Sequence, residues 1–135
     1  MAWSANRLFA LVLGIVFVLI GILGLLTANS STSNLLGIFG VDLLHNLVHL
    51  ITGIIAIAAA YMGFSRRFNQ VFGVIYLLLG LAGLIPALYS GAGGMQFLGI
   101  IHINPADNVL HLLAGAAAII IGFFVTETAR TRTAL

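Results

Sequence analysis

The chain has 135 residues, of which 61% are hydrophobic and 6% charged, whereas about a quarter are charged in an ordinary soluble domain. So few charges cannot cover a water-facing surface, and the outer face must meet lipid or other apolar protein. Five arginines, no lysine and three acids leave a net charge of +2; no basic stripe interleaved with aromatics occurs, so nucleic-acid binding is not supported, and the absence of cysteine excludes disulfides, thiolate metal sites and cysteine nucleophiles.

A bilayer core of ~30 Å takes about 20 mostly apolar residues in a helix. Leu8 to Leu26 supplies 19 without a charge. Arg7 followed by an apolar run ending in small residues also fits a secretory signal, but the same pattern recurs later, so the segment is read as a span. A polar connection, Thr27–Asn34, leads to a second span, Leu43 to Phe64, with His45, Asn46 and His49 in its first two turns. The Ser65–Gln70 turn precedes a third span, Val71 to Tyr89, with Pro86 near its end. A Gly-rich connection, Ser90–Gly99, leads to the fourth, Val109 to Val125, with Asn108 and His111 at its start, and Glu127–Leu135 forms a short polar tail. The expected fold is an all-α membrane protein, one domain over 1–135, with four transmembrane helices.

Arg7, Arg66, Arg67, Arg130 and Arg132 all fall on one side of these spans and none on the other. By the positive-inside rule that side, with both termini, is cytoplasmic, and Asp42 and Asp107 lie on the outer side.

The chain also reads as a duplication. At a shift of 59, Arg7, Phe9, Val12, Gly14, Gly21 and Gly24 fall on Arg66, Phe68, Val71, Gly73, Gly80 and Gly83. At a shift of 62, Leu36-Gly37-Ile38 falls on Leu98-Gly99-Ile100, and Asn46 to Gly53 on Asn108 to Gly115. The units, 7–64 and 66–126, each hold two spans and enter the membrane in the same sense, which makes a parallel repeat about an axis along the membrane normal. Gly14, Gly21 and Gly24, like Gly73, Gly80 and Gly83, line one helix face and are read as helix-packing positions, because small residues let backbones approach closely in lipid.

The chemistry gathers near the outer ends of spans two and four. Asp42, His45, His49 and Thr52 are spaced 3, 4 and 3 apart, and Asn104, Asp107 and His111 are spaced 3 and 4, so each set shares a helix face. Asp42 and Asn104 are expected as helix caps, the latter followed by Pro105 and by Asp107 in the capping-box position. His49 and His111 each stand seven residues past their cap, ~10 Å deeper at 1.5 Å per residue, where an ionisable group should face the bundle interior and have a partner. Three uses are open: a hydrogen-bonded network fixing helix register; a metal site from His45, His49, Asp107 and His111; or tetrapyrrole ligation (haem or pigment) by His49 and His111. His102, aligned with Gly40, is expected to be exposed.

No catalytic constellation is present, and Gly91-Ala92-Gly93-Gly94 precedes no phosphate-binding helix, so an enzyme is not expected. The expected role is association, as an accessory or structural subunit of a larger membrane complex or as a homo-oligomer. The alternative is a metal- or tetrapyrrole-binding membrane protein using His49 and His111.

The motif His45-Asn46-Leu47-Val48-His49-Leu50-Ile51-Thr52-Gly53, preceded by Leu36-Gly37-Ile38 and Asp42, and its echo Asn104-Pro105-Ala106-Asp107-Asn108-Val109-Leu110-His111-Leu112 resemble a family of bacterial four-helix membrane proteins known as a domain of unknown function. The resemblance runs from about Arg7 to Val125 and implies a four-helix fold in a bacterial inner membrane. It implies no activity, cofactor or site residue.

Overall fold

The computed structural model describes residues 3–27, 33–91 and 95–126; the polar tail with Arg130 and Arg132 lies outside these. Four long helices carry most of the chain: α1 (Ala5–Thr27), α2 (Leu43–Met62), α3 (Ser65–Ala82) and α4 (Pro105–Ile119), the last continuing as a wider π-helical turn over Ile120–Phe124. Three of them, α1, α2 and α4 with its continuation, are long and apolar enough to cross a membrane. The helix α3 is not. Its first turns are Ser65-Arg66-Arg67-Phe68-Asn69-Gln70, and it stops at Ala82 where an apolar span was expected to run to Tyr89. Pro86 is the reason. It lacks an N–H and disfavours helical geometry in the residue before it, and Ile85 is accordingly extended, followed by a single 3₁₀ turn over Pro86–Leu88.

The helix starts follow their sequence. The Asp42 Oδ1 atom accepts from the His45 N–H at 2.7 Å, and Asn104 and Asp107 form a reciprocal capping box with Pro105 at the first helical position. Each cap satisfies a backbone N–H that the helix cannot. Gly63, in the left-handed conformation that suits glycine, closes α2 and turns the chain directly into α3.

The helices pack as two antiparallel pairs, α1 with α2 and α3 with α4. Glycines set the approach. A Cβ on Gly14 would stand 2.8 Å from the Gly53 carbonyl oxygen and 2.9 Å from the Ile57 nitrogen, and one on Gly73 would stand 2.8 Å from the Ile119 nitrogen. Gly21 meets Leu50 as Gly80 meets Leu112, and Gly24 meets the Asn46 side chain as Gly83 meets that of Asn108. All six glycines therefore face a partner helix inside the chain. Between the pairs, Phe17, Phe72, Tyr76 and Ala118 form a buried core, with Phe72 stacked on Tyr76 at 4.0 Å and Phe17 edge-on to Phe72 at 5.6 Å.

At one end of the bundle, arginines close helix C-termini. Arg7 Nε donates to the Ala60 carbonyl at 2.8 Å, and Arg66 Nε to the Gly122 carbonyl at 3.0 Å; a cation suits carbonyls left free in a last turn. Between the pairs, Asn69 Nδ2 donates to Asn6 Oδ1 at 2.9 Å, both residues fully buried.

The other end holds two small sheets where plain loops were expected. β1 (Ser33–Leu35) pairs antiparallel with β2 (Phe39–Val41); β3 (Tyr89–Ser90), β4 (Gln96–Phe97) and β5 (Ile101–His102) form an antiparallel sheet in that order. Both hairpin turns use Leu-Gly, with Leu36 and Leu98 at φ of 54° and 52° and Gly37 and Gly99 at 72° and 71°. Two successive positive φ values define the tight turn whose twist matches a hairpin.

Candidate metal centre

The site lies where the two sheets meet the starts of α2 and α4. Its scaffold is a set of crossed backbone bonds. Asp42, capping α2, accepts from the His102 N–H in β5 at 2.7 Å through Oδ2. Asp107, in the first turn of α4, accepts from the Gly40 N–H in β2 at 3.0 Å and from the Asn104 N–H at 2.8 Å, both through Oδ2. Asn104 Nδ2 in turn donates to the Ile38 carbonyl at 2.7 Å. Each half of the chain thereby completes the helix start of the other.

His45 sits at the centre of this crossing. Its Nδ1 lies 2.9 Å from the Gly40 carbonyl and 3.0 Å from the His102 carbonyl. Both neighbours only accept, so Nδ1 carries a hydrogen, and Nε2 is the ring nitrogen left to offer a lone pair to a ligand. That nitrogen is buried and has no hydrogen-bond partner in the structure; the same holds for both ring nitrogens of His49 and for Nδ1 of His111. The three histidines are 3 to 4% exposed, and one ring nitrogen from each lies within 4.8 Å of the others. The His45 and His49 rings are 4.5 Å apart and those of His45 and His111 are 6.0 Å apart. Phe17 packs on His49 at 4.9 Å, and Tyr76 stands edge-on to His111 at 5.3 Å, while the Tyr76 hydroxyl engages Thr52.

The imidazoles open onto a cavity of about 170 Å³ walled by apolar side chains, among them Val48, Leu79, Phe97 and Ile101. Of the four residues grouped as metal ligands from the sequence, the structure brings three together. Asp107 is outside the group, its Oδ2 already accepting two backbone N–H groups. Asp42 and Asn104 are caps, as expected. His102 is a correction: it is buried, not exposed, at 6%. Its ring lies over Gly40, where a Cβ would stand 2.7 Å from His102 Cδ2, so the small residue at the aligned position provides the space. Sequence reasoning also missed the Gly40 and His102 carbonyls that orient His45. The Leu-Gly pair before each helix was the one available signal, because a repeated glycine marks a turn.

Fold and site together define a small helical protein with three helices long and apolar enough to cross a membrane and a buried histidine cluster at one end. It belongs to the family described as "Domain of unknown function (DUF4383)", whose model matches residues 7–124. No curated protein and no solved structure matches the chain.

Proposed function

We propose that this protein is a four-span integral membrane protein that binds a transition-metal ion on His45, His49 and His111. The observation that carries the reading is the convergence of three buried imidazoles, each with at least one ring nitrogen that lacks a hydrogen-bond partner. Buried polar atoms are nearly always hydrogen-bonded, and an ion shared by three lone pairs would satisfy several at once. The His45 Nδ1–H bonded to backbone carbonyls is the arrangement that fixes the tautomer of a metal-bound histidine. A cavity of about 170 Å³ is well below the 300–1,000 Å³ of typical cofactor pockets, which favours an ion over a tetrapyrrole.

In this reading α3 is the remaining span, its apolar residues Val71, Ile75, Leu78 and Leu81 facing outward. The arginine end faces the cytoplasm of a bacterial inner membrane and the histidine end the outer leaflet. Arg7 at 4.8 Å from the Trp3 ring, with Trp3 against Tyr61, supports an interface at the arginine end. The matching glycine contacts of the two helix pairs support a duplicated hairpin. The protein is proposed as a binding protein rather than an enzyme. Elemental analysis of gently purified protein, before and after incubation with transition metals, is the test. We expect metal in the wild type and its loss in His49→Ala and His111→Ala variants of unchanged helicity; a wild type that neither retains nor takes up any metal would overturn the reading.

Association, as an accessory subunit or a homo-oligomer, is a second reading. The packing glycines are used within the chain, so its support is the apolar hairpin tips: Leu36 is 77% exposed, and Ile38, Leu98 and Ile100 also point outward. A strictly monomeric mass in mild detergent, with no co-purifying partner, would count against it.

A further inference from the structure

We infer that the ion this site selects is monovalent copper, an inference that rests on the metal-binding reading above. The donors are three neutral imidazoles, and no carboxylate belongs to the set. Asp107, the acid nearest in sequence to His111, has Oδ2 occupied by the Gly40 and Asn104 N–H groups, and Asp42 has both oxygens occupied by the His45 and His102 N–H groups. The donor set itself is uncharged, and the buried carboxylate beside it, Asp107, interacts with His45 from outside the set and offsets a single positive charge better than a double one.

The cost of moving an ion into a low-dielectric interior grows with the square of its charge, so a divalent ion pays about four times what a monovalent one does. Zinc on three histidines usually meets this by holding a water that gives up a proton. A bound hydroxide needs hydrogen-bond partners, and the cavity wall beside the imidazoles is Val48, Leu79, Phe97 and Ile101. The one hydroxyl on that wall is that of Tyr76. Divalent copper prefers a square array of nitrogen and oxygen donors, and the cluster provides three nitrogens. Monovalent copper accepts imidazole, has a smaller desolvation cost and is content with three donors.

The inference is tested on the full chain in detergent under anaerobic, reducing conditions. Copper(I) and zinc(II) are supplied separately and in competition, unbound metal is removed, and bound metal is measured with the X-ray absorption edge of the copper. The expected result is a single equivalent of copper(I) with a three-nitrogen signature, retained against excess zinc. It should persist in Tyr61→Phe, at the opposite end of the bundle beside Trp3, and be lost in His49→Leu and His111→Leu. Zinc held in preference to copper(I) would overturn the inference and leave the metal reading standing; a wild type that holds neither would overturn both.

Discussion

Asp107 meets two backbone N–H groups with a single oxygen, one in its own helix cap and one in β2 of the other half of the chain. Removing the side chain leaves both donors without an acceptor, at a cost of about 1–3 kcal/mol for each one buried. An asparagine keeps an oxygen in the same place. Asp107→Ala should therefore lower the thermal unfolding midpoint in detergent clearly, and Asp107→Asn much less. Equal losses would mean that the negative charge, not the accepted hydrogen bonds, is what the fold needs. The same residue marks a limit of reading a helix face by spacing. Asp107 and His111 are four apart and do share a face, but the acid sits in the first turn, where free backbone donors compete for it. His45 holds the same first-turn position in α2, and backbone carbonyls take its Nδ1 but leave Nε2 to the cluster, whereas His49 and His111 lie a turn deeper, beyond the free backbone groups of the helix start.

At the scale of elements, the helices follow from the apolar runs and caps, while the end of α3 and the two small sheets do not. Nineteen residues from Val71 to Tyr89 look like a span in hydropathy, but Pro86 breaks the hydrogen-bonding ladder and the helix ends at Ala82, a turn earlier. The strands are two or three residues long, too short for an alternating pattern to stand out. Their turns place a leucine where few non-glycine residues sit. Asparagine is the favoured residue there, ahead of glycine, so Leu36→Asn should hold or raise thermal stability. Gly37→Val forces a branched side chain into the same left-handed region and should destabilise by about 1–2 kcal/mol. The two variants, compared by thermal unfolding in one detergent, test whether the hairpin contributes to the fold. No difference between them would mean that it does not.

For the whole molecule, orientation decides which solution the histidine end meets. The chain has no cysteine, so single substitutions report without background. Ser90→Cys, in β3 at the sheet end, should react with a membrane-impermeant maleimide in intact cells whose outer barrier is opened. Met62→Cys, beside the turn into α3 and 75% exposed, should react only after the inner membrane is breached. The reverse pattern would place the histidine end in the cytoplasm.

The crossed bonds between the halves also carry a consequence in time. Gly40 and the Asp107 carboxylate that accepts its N–H are 67 residues apart in the chain. At about 5–20 residues per second of synthesis, roughly 3–13 s pass between them. Through that interval the first half of the protein lacks the partners that complete the start of α2. His45 has the Gly40 carbonyl but waits for that of His102, and Asp42 waits for its second donor. The order of synthesis thus makes the arrival of β5 and α4 the event that completes the partners of His45, and the three imidazoles come together only after it.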